Sequence, residues 1–262
     1  MKDLLGIQLE TTTACQASCV FCPRGKLKEH GTMEDGLYEK IICEAAQLPA
    51  LGILNIQGNA GEPLCDAKFL DRLEYARSRL NGTALEFYTN GSLLNERMID
   101  RLKGISDLRI NVSLNGGPET RKRLMGLDDY WHVVRMMGRL REAGIPNRAS
   151  MVAYPEVTLG EISDFIASGG LAIQYQSWAG KQYRHERRRW TSCNRAMHHV
   201  YIRFNGDMTL CCFDTFGDVT FGNLKENTIA ELWGSEGHRE YVSKHKQGRG
   251  NELALCCSCS EG

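Results

Sequence analysis

Three cysteines near the start of the chain have the spacing of a metal-binding loop. Cys15, Cys19 and Cys22 lie within eight residues of one another. Three thiolates on one tight loop can ligate three corners of an iron–sulfur cluster, whereas a tetrahedral zinc ion would still lack one ligand. The spacing therefore favours a cluster with one open iron. The alternative is a zinc knuckle that takes its fourth ligand from a distant part of the chain.

The loop resembles the C-x3-C-x2-C signature of the radical S-adenosylmethionine (SAM) enzymes. Phe21 matches the aromatic residue that precedes the last cysteine of the signature. In that family the open iron binds the amino and carboxylate groups of SAM. The resemblance implies reductive cleavage of SAM to methionine and a 5′-deoxyadenosyl radical, which abstracts a hydrogen atom from the substrate. It also implies an electron donor of the flavodoxin or ferredoxin type.

The elements that must position this loop are predicted from the alternation of short apolar runs with amphipathic helical stretches, which is typical of βα units around a parallel sheet. Six strands are predicted, at Leu5–Glu10, Gly52–Gln57, Ala84–Tyr88, Leu108–Leu114, Arg148–Ala153 and Ala172–Gln176. Helices are predicted at Leu37–Gln47, Lys68–Leu80, Asn95–Lys103, Asp128–Ala143 and Leu159–Ala167, with a short additional helix at Glu119–Leu124. The fold class is therefore α/β, and the resemblance makes residues 1–180 a partial (β/α)6 TIM-like barrel.

Residues after the second and third strands add candidate ligand contacts, because sites in parallel α/β folds form at the carboxyl ends of strands. After the second strand comes Gly58-Asn59-Ala60-Gly61-Glu62-Pro63-Leu64. Its glycines permit close backbone approach, and Glu62 could accept a hydrogen bond from an ammonium group. The segment resembles the Gly-Gly-Glu motif of the family, with Ala60 in place of the first glycine, so Gly61 and Glu62 are expected to bind SAM. Thr89-Asn90-Gly91 after the third strand resembles another family motif but is equally well explained as a turn.

The fourth strand ends with two polar residues that could bind a ribose. Ser113 and Asn115 would share one side of this strand, given its period of two, and both can hydrogen-bond hydroxyl groups. The family commonly has Ser-x-Asp here, so Asn115 keeps an acceptor and loses the charge. No catalytic acid or base is identified from the sequence.

The C-terminal part of the chain has a second group of cysteines around a predicted hairpin. The segments His199–Phe204 and Asp207–Phe213 flank Asn205-Gly206, a strong hairpin signal. Thr228 and Glu231 form a predicted capping box at the start of a short helix. Four cysteines are placed to complete one all-cysteine site, which by spacing alone is either zinc or a fully ligated [4Fe–4S] cluster: Cys193, Cys211, Cys256 and Cys259.

The order of these C-terminal features resembles the shortened "twitch" form of the SPASM domain, an auxiliary-cluster appendage of some radical SAM enzymes. That resemblance favours a second [4Fe–4S] cluster over zinc. Cys212 and Cys257 each adjoin a predicted ligand and could replace it. The predicted organisation is a barrel over residues 1–180, a linker over 181–192 and a small α+β cluster domain over 193–262. Ser177-Trp178-Ala179-Gly180 also resembles family members that carry such a domain.

Composition and charge restrict the partners. Lys plus Arg and Asp plus Glu both number 32, and the net charge is +0, which does not indicate nucleic acid or an anionic membrane. The N-terminus has no signal-peptide pattern and no apolar run of membrane-spanning length occurs, so a cytoplasmic protein is expected. Eleven cysteines without a signal peptide indicate metal thiolates rather than disulfides, and Cys43 and Cys65 are expected to be small buried side chains.

The combined expectation is a radical SAM enzyme with an auxiliary cluster that relays electrons, since four thiolates leave no iron open to substrate. This favours a two-electron oxidation. The layout is similar to that of single-auxiliary-cluster dehydrogenases acting on aminocyclitols. With no separate peptide-recognition domain before Cys15, a small molecule is favoured over a short peptide. The alternatives are a peptide-modifying enzyme that catalyses epimerisation or bond formation, a non-enzymatic electron carrier and a zinc-stabilised interaction module.

Overall fold

The structure is a computed structural model that describes residues 1–57, 59–174 and 191–259 of the 262-residue chain. Six strands lie side by side in chain order, each parallel to the next. They are β1 (Gly6–Leu9), β2 (Ile53–Ile56), β3 (Ala84–Thr89), β4 (Leu108–Ser113), β5 (Asn147–Ala153) and β6 (Leu171–Gln174). The carboxyl ends of all six strands therefore lie along one edge of the sheet.

Six helices lie between consecutive strands of this sheet, as the apolar pattern predicts. They are α1 (Asp35–Ala45), α2 (Phe69–Arg79), α3 (Glu96–Leu102), α4 (Pro118–Met125), α5 (Tyr130–Glu142) and α6 (Leu159–Ala167). The additional short helix is α4. Within the described part of residues 1–174, the bounds of the predicted helices and strands differ from the observed ones by at most two residues. The α/β fold class is confirmed.

The two faces of the sheet differ in polarity. Leu54, Leu85 and Ile110 on one face are almost fully buried in the core. On the same side, the ring of Phe69 in α2 packs edge-on against that of Phe87 in β3, with centroids 4.9 Å apart. This face is therefore the one on which the helices pack, and its burial is the main hydrophobic contribution to the stability of the fold.

A row of hydrogen-bonded polar side chains crosses the opposite face of the sheet. Asn55 and Glu86 lie opposite each other in the register of β2 and β3, and Asn55 Nδ2 donates to Glu86 Oε2 at 2.9 Å. Asn111 Nδ2 donates to the other oxygen of Glu86 at 2.5 Å, and Arg148 donates to Asn111 at 3.4 Å. We call Asn55, Glu86, Asn111 and Arg148 the polar row.

The C-terminal region forms β7 (His199–Ile202), β8 (Asp207–Thr209) and β9 (Thr220–Asn223), with helices α7 (Asn194–His198), α8 (Ile229–Trp233) and α9 (Glu236–Lys246). The predicted hairpin at Asn205-Gly206 and the capping box of α8 are confirmed, although the arms of the hairpin are shorter than predicted. β7 also pairs in parallel with β1, so the hairpin continues the sheet of the barrel. The sequence pattern contained no signal for this pairing.

Some expectations concern residues that the structure does not describe. They are Gly58, the last two residues of the sixth predicted strand, the Ser177–Gly180 segment and residues 181–190 of the predicted linker. Among the helices of the described residues, none is both long and apolar enough to cross a membrane.

Candidate active site

The cysteine loop, residues 11–22, leaves β1 at the carboxyl edge of the sheet and is fixed by backbone hydrogen bonds. The N–H of Ser18 donates to the carbonyl of Met125 at 3.0 Å, and the N–H of Val20 donates to that of Leu124 at 2.9 Å. Both acceptors lie in the last turn of α4, where carbonyls have no partner within the helix. The short helix α4 therefore positions the cysteine loop.

Cys15, Cys19 and Cys22 are half-buried and line one pocket. Burial, together with negative charge on Cys22 and Cys15, raises the pKa of Cys19 to about 12. Burial likewise raises the pKa of Cys15 and Cys22. A bound cationic centre reverses this preference, because it stabilises thiolates. The three thiols are thus close enough to interact electrostatically and are placed to ligate one centre.

This donor set fits an iron–sulfur cluster. Each thiolate of such a cluster binds its own iron, so three cysteines on a loop are sufficient to hold it and leave one iron open. A structural zinc site instead needs four ligands around one ion. Within residues 1–57, 59–174 and 191–259, no three His, Cys, Asp or Glu side chains surround a point where a single metal ion could be held.

The other cofactor-binding residues predicted from the sequence lie in the same pocket as the three cysteines. They are Phe21, Gly61, Glu62, Ser113 and Asn115. The ring of Phe21 also packs against that of Tyr154, with centroids 6.1 Å apart. The structure therefore brings together residues that come from the loops after β1 and β2 and from the end of β4.

Glu62 is 2% exposed, and both of its oxygens accept hydrogen bonds. Oε1 accepts from the hydroxyl of Thr89 at 2.7 Å and from the N–H of Leu64 at 3.1 Å, while Oε2 accepts from the N–H of Asn90 at 2.7 Å. Burial raises the pKa of Glu62, and these donors oppose the rise. A carboxylate offers about four acceptor positions, so one remains for a ligand in the pocket. Glu62 also connects the loops after β2 and β3, a role that the sequence did not indicate.

We expect Glu62→Gln to weaken SAM binding by about 10- to 150-fold without loss of iron. The reason is that one charge-assisted hydrogen bond contributes about 1.5–3 kcal/mol. Isothermal titration of the reconstituted protein with SAM measures the change. Glu86→Gln is the matched control, because Glu86 lies in the polar row and is also hydrogen-bonded by neighbouring side chains. Equal SAM affinity in Glu62→Gln and the parent would remove Glu62 from the SAM site.

Gly61 is required by a contact between two loops. A Cβ atom at this position would lie 1.9 Å from the carbonyl oxygen of Thr12, well inside any real contact distance. The next residue, Glu62, donates its N–H to the carbonyl of Ala14 at 2.8 Å. The backbone after β2 therefore packs directly on the cysteine loop. The close approach expected at this glycine is observed here as a contact between the two backbones.

We expect Gly61→Ala to destabilise the protein by about 1–3 kcal/mol or more, since the added methyl group meets backbone that cannot rotate away. Thermal unfolding followed by circular dichroism measures the loss. Gly138→Ala is the control: Gly138 lies inside α5 with open space around its Cβ position, and this substitution in a helix interior adds about 0.5–1 kcal/mol of stability. An unchanged unfolding temperature in Gly61→Ala would show that the two loops do not pack in this way.

Asn115 departs from the strand geometry assumed for it. β4 ends at Ser113, and Asn115 has a φ of +58°, so the period of two does not extend to this residue. Its Oδ1 accepts from the N–H of Val152 at 2.8 Å, and its Nδ2 lies 3.1 Å from the sulfur of Met125. Asn115 still borders the pocket, but these contacts tie the end of β4 to β5 and to α4.

Arg121, in α4, is a buried site residue that the sequence did not reveal. It is fully buried and donates to the carbonyls of Asn90 at 2.8 Å and Ser113 at 2.9 Å, and to the carboxylate of Asp129 at 2.7 Å. Its positive charge lowers the pKa of Glu62 and of Cys19, although burial dominates in both. Arg121 therefore ties the ends of β3 and β4 together behind the pocket. An arginine in a short charged helix gives no signal of this role.

The second group of cysteines also converges. Burial, together with negative charge on Cys259 and Cys193, raises the pKa of Cys256 to about 12. Burial raises the pKa of Cys211 well above its ordinary value, and Cys259 contributes to that rise. The structure thus places Cys193, Cys211, Cys256 and Cys259 close enough to interact. An all-cysteine donor set of this kind fits an iron–sulfur cluster.

The two neighbouring cysteines differ in their surroundings. Cys257 is exposed, and its sulfur donates to the carbonyl of Ala254 at 3.1 Å, whereas Cys256 is half-buried among the other thiols. Cys256 is therefore better placed than Cys257 to be a ligand. Burial raises the pKa of Cys212 to about 11, and the charges of Cys193 and Cys259 contribute, so Cys212 as well as Cys211 can supply the remaining thiolate.

Two side chains connect the cysteine-loop pocket to the second group of cysteines. Asn59 and Tyr88 both line that pocket. Asn59 Nδ2 also donates to the carbonyl of Cys212. Burial raises the pKa of Tyr88. Negative charge on Glu86 and Cys212 also raises this pKa, and the positive charge of Arg148 lowers it. Tyr88 therefore lies within electrostatic reach of the pocket, the polar row and the second cysteine group.

Comparison with known proteins identifies two family models in the chain. The model described as the radical SAM superfamily matches residues 9–168, and that of the SPASM iron–sulfur cluster-binding domain matches residues 193–260. The first model implies SAM and a [4Fe–4S] cluster, and the second implies an auxiliary iron–sulfur cluster. These two family matches confirm the prediction of SAM, a [4Fe–4S] cluster and an auxiliary iron–sulfur cluster.

Two curated relatives differ in how much of the chain they match. GTP 3′,8-cyclase of Clostridium botulinum is 29% identical over 165 residues, which are 61% of this chain and 51% of the relative. The chain thus spans about half the length of that relative. The S-adenosyl-L-methionine-dependent 2-deoxy-scyllo-inosamine dehydrogenase of Niallia circulans is 23% identical over 262 residues, covering 97% of this chain and 92% of the relative.

Two solved structures share the fold. BtrN in complex with AdoMet and 2-DOIA superposes with a TM-score of 0.72 at 18% identity, covering 100% of this chain and 95% of BtrN. Streptococcus suis SuiB bound to the precursor peptide SuiA gives a TM-score of 0.75 at 14% identity, covering 99% of this chain and 70% of SuiB. Since the superfamily model spans more than half of the sequence and its cysteine loop, this chain belongs to the radical SAM superfamily and is a radical SAM enzyme with a SPASM-type cluster domain.

Proposed function

We propose that the enzyme removes two hydrogen atoms from a polar small molecule, using SAM as the oxidant and the auxiliary cluster as the acceptor of one electron. The observation that carries this proposal is the arrangement around Tyr88. This side chain lines the pocket of Cys15, Cys19 and Cys22 and lies within electrostatic reach of Cys212. A substrate beside Tyr88 would lie between the two cluster sites. Such a position suits hydrogen abstraction at one site and electron transfer to the other.

The residues around the first site have separate tasks. Cys15, Cys19 and Cys22 would hold the open cluster, and Glu62 would accept a hydrogen bond from the SAM ammonium group. When bound, SAM and the two clusters supply a hydrogen-abstracting radical and an electron acceptor. The chain positions them and excludes water, because a radical of this reactivity must be kept from solvent and from other side chains. Phe21, packed against Tyr154, contributes apolar surface to that enclosure.

The polar row is the reason for proposing a polar substrate. Glu86 lies at its centre and accepts from Asn55 and Asn111, while Arg148 at its end is exposed. Asn55 Oδ1 is buried and has no hydrogen-bond partner among the described residues. A face of carboxylate, amide and guanidinium groups can orient the hydroxyl and amino groups of a small substrate.

The dehydrogenase of Niallia circulans supports oxidation, because the similarity extends over nearly all of both chains. A second candidate function is modification of a peptide. It is favoured by the fold shared with SuiB, whose structure contains a precursor peptide. The two candidates differ in the size and charge of the substrate that must reach Tyr88.

Reconstituted enzyme with SAM and dithionite is the system that tests the proposal. We expect 5′-deoxyadenosine formation to increase with an aminocyclitol such as 2-deoxy-scyllo-inosamine, and the product to lack two hydrogen atoms. Glu86→Gln should reduce this stimulation while leaving SAM binding intact. Stimulation by peptides and by none of a panel of aminocyclitols would overturn the small-molecule assignment and favour peptide modification.

A further inference from the structure

A buried histidine contacts one of the auxiliary-site cysteines. His245, in the last turn of α9, is 2% exposed, and its Nε2 lies 3.5 Å from the sulfur of Cys256. This distance is within hydrogen-bonding range for a sulfur acceptor. The ring of His245 therefore lies beside a cysteine that we assign to the auxiliary cluster.

The ring is held by close packing on its other edge. A Cβ atom at Gly250 would lie 2.3 Å from His245 Nδ1, so the absence of a side chain at residue 250 leaves room for the imidazole. The N–H of Gly250 is itself fixed by a 2.8 Å hydrogen bond to the carbonyl of Thr191. Nδ1 is buried and has no hydrogen-bond partner in the part of the chain that the structure describes. The contact with Cys256 is thus the polar contact that the structure records for this ring.

The direction of the hydrogen bond follows from the chemistry of the sulfur. A thiolate that ligates iron has no proton and can only accept, so Nε2 must carry the hydrogen. Hydrogen bonds to cluster sulfurs are one of the factors that set the reduction potential of an iron–sulfur cluster. They stabilise the reduced cluster, which carries more negative charge, more than the oxidised one.

We propose that His245 donates an N–H···S hydrogen bond to Cys256 and thereby raises the reduction potential of the auxiliary cluster. The proposal rests on the assignment of Cys256 as a cluster ligand and gives the auxiliary site a residue that tunes it as an electron acceptor. His245 acts through Cys256 and is a positioning residue. Oxidation of substrate would benefit because a higher potential makes the transfer of one electron to this cluster more favourable.

A redox titration of the full reconstituted chain, followed by electron paramagnetic resonance, tests the proposal. The auxiliary signal is the one that survives when Cys15, Cys19 and Cys22 are replaced. In His245→Phe, which keeps a ring and removes the donor, we expect the ratio of reduced to oxidised auxiliary cluster at a fixed potential to fall several-fold. A tenfold fall corresponds to about 59 mV for a one-electron couple. His245→Gln retains an N–H donor and should recover most of the shift.

His238→Phe is the matched control, because His238 is the other buried histidine of α9 and its ring is hydrogen-bonded to the carbonyl of Trp233. It should leave the potential unchanged. An unchanged potential in His245→Phe, or an equal fall in His245→Gln, would overturn the proposal. Selective loss of auxiliary iron in His245→Phe would also overturn it, by making His245 a ligand. The readout is independent of substrate, so failure here is distinguishable from failure of the proposed dehydrogenation.

Discussion

Replacing Cys15, Cys19 and Cys22 together with alanine should remove about half of the iron and all cleavage of SAM. The physical reason is that these three thiolates are assigned to the cluster with an open iron, whereas four other cysteines complete the auxiliary site. Iron analysis and chromatographic detection of 5′-deoxyadenosine, after anaerobic reconstitution and reduction with dithionite, measure both effects. The auxiliary cluster should persist with its own spectrum.

A variant with both Cys43→Ala and Cys65→Ala is the control for the removal of cysteines that are not assigned as ligands. Cys43 lies 3.4 Å from the hydroxyl of Tyr75, and Cys65 donates to the side chain of Gln16. Neither is assigned as a ligand, so this variant should retain both its iron and its SAM cleavage. Cleavage of SAM by the triple variant would show that the two cluster sites have been assigned the wrong way round.

The second large effect is expected at the auxiliary site. Removing Cys193, Cys211, Cys256 and Cys259 together should abolish formation of oxidised product while SAM cleavage continues. Without that cluster the electron left on the substrate after hydrogen abstraction has no acceptor, so the reaction stops before the second oxidation step. Parallel assays of 5′-deoxyadenosine and of product measure the two activities.

Cys257→Ala is the matched control for that variant, since Cys257 adjoins the assigned ligand Cys256 but is exposed and hydrogen-bonded to the carbonyl of Ala254. It should keep turnover. Normal product formation by the variant that lacks the four assigned ligands would remove the auxiliary cluster from the oxidation. In a separate experiment, single replacement of Cys211 and of Cys212 shows which of these two residues supplies the fourth thiolate.

Much of the fold and of the candidate site followed from local pattern. Strands and helices were predictable because apolar residues recur with the period of each element, and the parallel order places every strand end at one edge. Residues as distant in sequence as Cys15, Glu62 and Ser113 could therefore be expected to meet. The structure places them around one pocket.

The remaining features depend on contacts that leave no local pattern. The pairing of β7 with β1 joins segments almost 200 residues apart and was visible only in the structure. Arg121 looks like one more charge in a short polar helix until its burial and hydrogen bonds are seen. Asn115 takes up a positive φ because the chain turns there, which a strand period does not anticipate. His245 likewise becomes notable only through its contact with Cys256.

The measurement that tests the proposed oxidation most directly is the mass of the product formed in deuterated solvent, compared with the amount of 5′-deoxyadenosine released. We expect the substrate to lose two hydrogen atoms, with one 5′-deoxyadenosine formed for each product and no deuterium incorporated at a carbon atom. Incorporation of one solvent deuterium without net oxidation would contradict the proposal, because it would show that the enzyme inverts a stereocentre and does not need an electron acceptor.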